Sequence, residues 1–263
     1  FNRNCCCSYT KIKLKDHVRL IRENNKFLIT DLKRESKYDY QKYTRQEEDG
    51  SRTYNVGNKK IPSVTTILSA TQSDEKKAGL DAWRERVGYQ EAARITSQAA
   101  LRGTEMHYVL ENYIDGRGYL NLSPEGAQAR LMAHEIVNNL DLLKVVWGNE
   151  VSLAYEDLWA GATDVVGIYD NQPTIIDFKQ SNKIKKEEYV EDYYYQIAAY
   201  SLAHKKQYGL ITQGLICICT KDIIYQEFKM SPEMLNEYEK KWMSRVKKYY
   251  DKKSLGDAKS SNI

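Results

Sequence analysis

Residues 159–179 read WAGATDVVGIYDNQPTIIDFK, and this stretch decides the fold. Two short apolar runs rich in β-branched residues flank Asp170-Asn-Gln-Pro173, whose residue types favour a turn, so the stretch predicts a β-hairpin. If the turn is centred between residues 170 and 171, Asp164 and Asp177 are equally far from it. The two side chains then face each other across the strands, with β-carbons roughly 4.5–5.5 Å apart.

The facing carboxylates predict a metal site for phosphate chemistry. They repel each other, and a half-buried sheet strengthens the repulsion. A divalent cation would offset it, and Lys179, on the same face as Asp177, adds a positive charge. The cation would neutralise the phosphate and activate a water, while Lys179 orients that water or stabilises the phosphate oxygens. The simpler alternative is an exposed pair of acids with Lys179 as salt-bridge partner; the apolar run before Lys179 argues against it, because unpaired buried charge is costly.

Five motifs occur in order within a stretch from about Ile61 to Lys206, over half the chain. They are Ile61-Pro-Ser-Val-Thr-Thr-Ile-Leu68, Arg102-Gly-Thr-Glu-Met-His107, Gly161-Ala-Thr-Asp164, Asp177-Phe-Lys179 and Gln196-Ile-Ala-Ala-Tyr200. Together they resemble the RecB-type branch of the PD-(D/E)XK nucleases, and within it the mitochondrial genome maintenance exonucleases and small bacteriophage exonucleases. The resemblance implies an α/β fold with a restriction-endonuclease-like PD-(D/E)XK core, a mixed central sheet flanked by helices.

The resemblance also implies the metal ligands and the catalytic residues. The implied shell around one or two Mg²⁺ or Mn²⁺ ions consists of His107, Asp164, Asp177 and the backbone carbonyl of Phe178. Asp164, Asp177 and Lys179 are the implied catalytic set, with Lys179 as the catalytic lysine. Glu150, at the start of the preceding strand, lies where many members of the family carry another acidic residue. A lone helical histidine is more often structural, and that alternative stays open for His107.

DNA contacts are expected from a second group of residues. Gln196 and Tyr200 match the family's Gln-x-x-x-Tyr motif and share one helix face at i and i+4. A glutamine amide can hold a phosphate oxygen or a water, although an amphipathic helix whose tyrosine packs on the sheet is the alternative. Further contacts are expected from Ser63, Thr65, Arg102, Thr104 and Ser181.

Charge and helix placement suggest how DNA would bind. Residues 1–60 hold 15 Lys and Arg but 8 Asp and Glu, a net of +7, which leaves −3 for the rest of the +4 chain. A basic segment with interleaved tyrosines suits a phosphate backbone and unstacked bases. Helices predicted at 73–114 would cover the metal site and admit a flexible single strand more readily than a duplex. We therefore expect a metal-dependent DNA exonuclease that prefers single strands with a free end; the alternatives are an inactive nucleic-acid-binding module and an endonuclease of the same fold.

The sequence predicts three regions. They are a basic, β-rich N-terminal extension at 1–60, a nuclease domain at 61–252 and a mobile polar tail at 253–263. A long helix is predicted from about Gly88 to Ile114, with a break allowed near Gly103. Ser123-Pro-Glu is typical of a helix start, because serine caps and proline fits the first turn.

The cysteines and the lack of membrane signals bear on location. Cys5, Cys6 and Cys7 are adjacent and cannot all point at one metal, so an iron–sulfur cluster is not expected. Cys217 and Cys219 are predicted to be small apolar residues on one face of a core strand. Without disulfide-like spacing, a membrane span or a signal peptide, we expect a reducing intracellular compartment. Bacterial cytoplasm, with or without phage infection, is favoured, and the mitochondrial matrix is the alternative. The chain opens with Phe1 rather than Met, so we expect a processed or shortened chain.

Overall fold

The hairpin predicted at residues 159–179 lies at the centre of a six-stranded sheet. The computed structural model describes residues 32–48 and 50–260, and of residues 256–260 the backbone alone. The sheet has the order β1-β5-β6-β7-β8-β9, and β2, β3 and β4 form a separate antiparallel meander. The strands are β1 (Lys33–Arg34), β2 (Thr44–Glu48), β3 (Ser51–Val56), β4 (Lys59–Pro62), β5 (Leu143–Tyr155), β6 (Trp159–Tyr169), β7 (Gln172–Ser181), β8 (Gln213–Thr220) and β9 (Tyr225–Met230).

Helices cover both faces of this sheet. Within the described residues they are α1 (Val64–Ala70), α2 (Asp74–Val87), α3 (Tyr89–Ile114), α4 (Pro124–Asn138), α5 (Glu191–Gln207) and α6 (Pro232–Ser260). One hydrophobic core joins α1, α5 and α6 to the sheet, with Trp159 and Trp242 among its fully buried side chains. A second core joins α3 and α4 to it through Met106, Leu110 and Met132.

The strand directions confirm the predicted mixed sheet flanked by helices. β5, β6 and β7 pair antiparallel in sequence order, whereas β7 and β8 run parallel. A parallel neighbour requires a crossover connection, and the segment carrying α5 provides it. Apolar residues at alternate positions of β8 enter the two cores in turn, as expected for a strand buried on both faces.

The hairpin turn lies where the sequence places it. Tyr169 pairs with Gln172, so the loop consists of Asp170 and Asn171 alone. These two residues have φ angles of 50° and 60°. Left-handed backbone at both positions is typical of the tight two-residue hairpin turn whose twist matches that of the strands. The centre predicted between residues 170 and 171 is therefore confirmed.

The N-terminal part of the described chain is joined to the sheet. β1 pairs in parallel with β5, beside the hairpin. Tyr54 of the meander packs against Ala154 and Ala160 at the end of the β5–β6 pair. β4 extends across residue 60, the boundary predicted between the extension and the nuclease domain. The described residues before that boundary thus belong to the same folded body.

The long helix predicted from about Gly88 to Ile114 is confirmed as α3, and the break allowed near Gly103 does not occur. Gly88 separates α2 from α3 and has a φ of 90°. Only a residue without a β-carbon adopts that angle cheaply. The C-terminal helix α6 continues to Ser260 and so includes residues 253–260 of the segment predicted as a mobile tail; the mobility stays a prediction. Polar lysines and an alanine are adequate helix formers, and their polarity does not by itself end a helix.

The cysteines of β8 behave as predicted. Cys217 and Cys219 are completely buried and belong to the core beneath α3 and α4. Their alternate spacing puts both on one face of the strand. Cys5, Cys6 and Cys7 lie outside the described residues, as does most of the basic segment predicted at 1–60.

Candidate active site

Three acidic residues occupy neighbouring positions across β5, β6 and β7. The register of β5 against β6 places Glu150 opposite Asp164, since the residues on either side of them pair. On the other side of Asp164, the pairing of β6 with β7 runs as far as Val165 and Ile176. The same register, continued by one residue, places Asp177 opposite Asp164. The facing pair predicted from the hairpin is thus extended to a row of three carboxylates, which we call the acidic row.

Glu150 joins this row through an unusual backbone conformation. Its φ is 51°, a left-handed value that residues other than glycine seldom adopt. The preceding side chain is held by α3: the Asn149 amide donates 2.9 Å hydrogen bonds to the carbonyl of Glu111 and to the Asp115 carboxylate. Such strain persists where the surroundings impose it, and it is common at functional sites.

His107 approaches the row from α3. Its Nδ1 lies 3.0 Å from a carboxylate oxygen of Asp164. One potential ligand atom from each of His107, Glu150 and Asp164 lies within 4.8 Å of the other two. The helix can come this close because Gly103 has no side chain, since a β-carbon there would lie 3.2 Å from Cγ of Gln180 on β7. Gly103 therefore allows α3 to pack closely against β7.

Asp164 and Asp177 are both buried, yet each has its own partners. Asp164 accepts a 2.5 Å hydrogen bond from the Phe178 backbone N–H and contacts His107, whereas Asp177 forms an ion pair with Lys179. Burial opposes ionisation of Asp164, but the charge and hydrogen bond of His107 outweigh it and hold its pKa below the usual value. Burial raises the pKa of Asp177; Lys179 counters this in part, and the charge of Asp164 adds to it.

The other ionisable groups of the site respond to this crowding. Burial lowers the pKa of His107, but the neighbouring Asp164 brings it up to about 8. Desolvation, and then the charge of Asp164, raises the pKa of Glu150 to about 7. Burial lowers the pKa of Lys179, but Asp177 and Asp164 raise it above its usual value, so the ammonium stays charged.

The donor set fits a divalent cation. Carboxylate oxygens and a neutral imidazole are suitable ligands for Mn²⁺, and oxygen ligands suit Mg²⁺ best. Burial raises the pKa values of Glu150 and Asp177, and the neighbouring charge of Asp164 adds to both shifts. A bound cation would favour the ionised form of both carboxylates. The carbonyl of Phe178, implied as a further ligand, stays a prediction, as do the individual roles of the other ligands.

A cavity of about 630 Å³ opens above the acidic row. Most of the residues predicted to bind DNA line it: Ser63, Thr65, Thr104, Gln196 and Tyr200. Ser63 also caps α1, because its Oγ accepts the Thr66 backbone N–H at 3.0 Å. Tyr200 is buried against Gly161, where a β-carbon would lie 2.6 Å from the tyrosine ring. The glycine of the Gly161-Ala-Thr-Asp164 motif therefore makes room for the tyrosine of the Gln196–Tyr200 motif.

Arg102 and Ser181 lie in a second cavity of about 860 Å³, along the N-terminal half of α3. The Arg102 guanidinium donates to the side-chain oxygens of Gln180 and Asn182. Three lysines and three large aromatic residues share this cavity: Lys183, Lys185, Lys221, Trp83, Tyr189 and Tyr193. The structure thus divides the predicted DNA-binding residues between two cavities.

Sequence reasoning missed three charged residues that line the cavity above the acidic row: Arg45, Arg52 and Glu111. Glu111 lies one helical turn after His107 and shares its face, so i, i+4 spacing would have found it. The two arginines belong to the meander. The alternate spacing of Arg45 with Glu47, and of Arg52 with Tyr54, predicts that each pair of side chains projects from one face of its strand. The spacing does not show what that face contacts in the folded protein.

The fold and this cavity define the class: a mixed α/β protein with a candidate divalent-cation site on its central sheet. The chain is similar to Mitochondrial genome maintenance exonuclease 1 of Homo sapiens, with 28% identity over 206 residues that cover 73% of this chain and 59% of that protein. It is also similar to the protein of the same name from Xenopus tropicalis, with 29% identity over 212 residues that cover 75% of this chain and 60% of that protein. These matches confirm the resemblance first drawn from the motifs.

The extent of the similarity is limited in two ways. The chain spans about 60% of the length of the curated relatives it matches, and no protein-family model matches it. Among solved structures, the "Putative exonuclease" of Eubacterium rectale shares 19% identity with a TM-score of 0.41, covering 59% of this chain and 68% of that one. A likeness of that size does not bear on fold or activity.

The length and apolarity of the helices decide whether one of them could span a membrane. A spanning helix needs about 20 consecutive, mostly apolar residues. Among the described residues, none of the helices combines that length with that apolarity.

Proposed function

We propose that this protein is a metal-dependent DNA exonuclease that hydrolyses phosphodiester bonds and prefers single strands with a free end. The observation that carries the proposal is the convergence of His107, Glu150 and Asp164, with ligand atoms within 4.8 Å of one another, beside the ion pair of Asp177 and Lys179. The similarity to proteins named as exonucleases supports it.

In this proposal the acidic row and His107 hold Mg²⁺ or Mn²⁺, as one or two ions. The cation supplies charge neutralisation at the phosphate and lowers the pKa of a bound water. In the metal-free protein, His107 and the Phe178 N–H keep Asp164 ionised at neutral pH. His107 would lose its proton on binding a cation, so that it would bind the cation as a neutral imidazole. The buried ammonium of Lys179 orients the attacking water or stabilises negative charge on the phosphate oxygens.

The preference for single strands rests on the helices beside the site. α2 has no buried residue of its own, and with α3 it borders the second cavity through Trp83 and Val87. The C-terminal half of α3 lines the cavity above the acidic row through His107 and Glu111. A flexible strand could follow α3 from one cavity to the other, with its bases stacked on aromatic side chains and its phosphates near Arg102.

Parallel digestion of three substrates tests the proposal: linear single-stranded, linear double-stranded and circular single-stranded DNA. With Mg²⁺ or Mn²⁺, we expect the linear single strand to be degraded fastest and the circle to persist, and chelation should stop all cleavage. Rapid cutting of the circle would show an endonuclease instead. DNA binding without any metal-dependent cleavage would identify an inactive nucleic-acid-binding module.

For its location we propose a reducing intracellular compartment. The curated relatives are mitochondrial by name, which keeps the mitochondrial matrix open beside a bacterial or phage-infected cytoplasm. The two cysteines of β8 are buried and unpaired, as they would be where thiols stay reduced.

A further inference from the structure

The cavity above the acidic row poses an electrostatic problem for a DNA substrate. Four carboxylates line it: Glu111, Glu150, Asp164 and Asp177. On the same wall Lys179 is already paired with Asp177. Each DNA phosphate adds a negative charge, and one or two bound cations act at the scissile phosphate alone. The neighbouring phosphates of a bound strand therefore need positive charge from another wall.

The meander supplies such a wall. In its register Arg45 lies opposite Tyr54, and Arg52 lies opposite Glu47. Side chains of directly opposed and alternate residues share one face of an antiparallel pair, so these four side chains project to the same side. Arg45, Arg52 and Tyr54 all line the cavity.

Arg52 is held in place by its backbone while its side chain keeps a free donor. Its N–H donates to the Thr66 hydroxyl at 3.0 Å, and that hydroxyl donates to the Arg52 carbonyl at 2.7 Å. The Ser63 N–H also donates to this carbonyl, at 2.9 Å, which fixes the strand to the start of α1. The guanidinium Nε is buried and, among the described residues, has no hydrogen-bond partner. A buried donor of this kind is costly until a ligand satisfies it.

The charge of Arg52 acts inside the site. Burial raises the pKa of Tyr200, and the charges of Asp177 and Asp164 raise it further. The charge of Arg52 lowers the pKa of the same hydroxyl. Arg52 and the acidic row therefore line the same cavity as Tyr200, at distances over which their charges act on its hydroxyl.

Glu47 forms ion pairs with both Arg45 and Arg52 in the free protein. Its carboxylate lies 3.4 Å from an amino group of Arg45 and 3.7 Å from one of Arg52. The side chains of Arg45 and Glu47 are about half exposed, at 54% and 52%. Long, exposed ion pairs of this kind contribute little stability. A phosphate group can therefore displace Glu47 readily.

We propose that Arg52, assisted by Arg45, binds a non-scissile phosphate of the DNA strand across the cavity from the acidic row, and that Glu47 holds these guanidinium groups when no strand is bound. Arginine suits this task because its planar fork matches a phosphate with two parallel hydrogen bonds. The inference rests on the proposed nuclease function and adds to it the wall that binds the backbone.

Binding of a labelled oligothymidylate tests this inference. The dissociation constant is measured over a series of salt concentrations, with Ca²⁺ replacing Mg²⁺ to suppress cleavage. For Arg52→Ala we expect binding about tenfold weaker, and a slope of log affinity against log salt smaller by about 0.7, the value for one lost phosphate contact on a single strand. Glu47→Gln should bind several times more tightly than wild type, because the internal competitor is gone.

Two further variants make the result specific. Arg52→Lys should regain most of the salt slope but not the full affinity, because lysine keeps the charge and loses the fork. Lys248→Ala, on the exposed side of α6 and outside both cavities, removes the same unit charge and should bind like wild type. If Arg52→Ala does not fold, as judged by circular dichroism, Arg52→Gln in the same assay decides.

Equal binding by Arg52→Ala and Lys248→Ala would overturn the inference while leaving the nuclease proposal intact. Weaker binding by Glu47→Gln would overturn the role given to Glu47. A wild-type protein that neither binds nor cleaves DNA would overturn the proposed function, and this inference with it.

Discussion

Asp164 and Asp177 look equivalent in sequence but have different physical roles. Asp164 accepts the buried Phe178 N–H and contacts His107, and its pKa is lowered. Asp177 contacts Lys179, and its pKa is raised. A lowered acid pKa means that the folded state stabilises the carboxylate, and a raised one means that it disfavours it. Folding therefore stabilises the carboxylate of Asp164, whereas it disfavours the charged form of Asp177.

Replacing Asp164 with alanine should therefore remove both activity and stability. We expect Asp164→Ala to abolish cleavage and to lower the free energy of unfolding of the metal-free protein by about 1–3 kcal/mol, because the buried Phe178 N–H loses its acceptor. Chemical denaturation in the presence of a chelator measures the second effect. Asp157→Ala, at an exposed carboxylate paired with Lys59, is the control and should match wild type in both assays. Like-charge repulsion alone predicts a stabilised Asp164→Ala, so that outcome would show that repulsion dominates.

At the residue scale, the sequence was sufficient where local geometry determines position. Period-two alternation and a two-residue turn fix how Asp164 faces Asp177, and the structure has that register. Arg52 could not be found in this way. Its place over the cavity depends on how the meander packs against α1 and the end of the β5–β6 pair, which no local pattern encodes.

Among the elements, α5 is tied to the N-terminal segment by a buried histidine. His204 is fully buried near the C-terminal end of α5. Its Nδ1 lies 2.6 Å from the Gly209 carbonyl and its Nε2 lies 3.0 Å from the Tyr40 hydroxyl. A carbonyl can only accept, so Nδ1 carries the proton and Nε2 accepts from Tyr40. The neutral ring therefore satisfies both neighbours, with Tyr38 and Tyr208 packed around it.

This arrangement makes stability depend on pH. Burial lowers the pKa of His204; the Gly209 hydrogen bond opposes this, and the charge of Lys37 adds to it. In the unfolded chain the pKa of His204 is higher, near 6.5. Below that pH the unfolded chain binds a proton that the folded protein does not bind, so the free energy of unfolding falls. Between pH 7.5 and 5.5 we expect His204 to account for a loss of about 1 kcal/mol.

Denaturation of His204→Gln at the two pH values checks this. Glutamine can donate to the Gly209 carbonyl and accept from Tyr40, so the variant should fold and lose this part of the pH dependence. Tyr40→Phe removes the hydroxyl but keeps the histidine, so it should be less stable at pH 7.5 by about 1 kcal/mol and retain the dependence. An identical pH dependence in His204→Gln and wild type would contradict the assignment.

Elements with strong local signals were predictable, and those set by tertiary contacts were not. Ser123-Pro124 opens α4 as predicted, because the serine side chain accepts the Gly126 N–H at 3.0 Å. The interruption allowed near Gly103 does not occur, since that glycine serves close packing against Gln180 rather than a turn. A glycine inside a helical pattern does not reveal from sequence which of the two purposes it serves.

At the scale of the whole molecule, the central sheet concentrates negative charge where three structural units meet. The acidic row lies on β5, β6 and β7, His107 reaches it from α3, and the meander lines the cavity above it. The sequence predicted the first two of these units. It could not predict the third, because the packing of a separate three-stranded meander on the sheet is a long-range property of the fold.

This concentration of charge should make stability of the whole protein depend on metal. A cation that binds the folded state alone stabilises it by about 2.7 kcal/mol at a concentration one hundred times its dissociation constant. For a chain of this size that corresponds to an increase in Tm of about 5–10 °C. Mg²⁺ or Mn²⁺ should produce this increase in wild type and in Asp157→Ala, and a chelator should reverse it. Asp164→Ala should show little of this increase in Tm, because the variant lacks one of the three potential ligands that converge at the site with Glu150 and His107. An equal increase in Asp164→Ala would mean that the cation binds elsewhere.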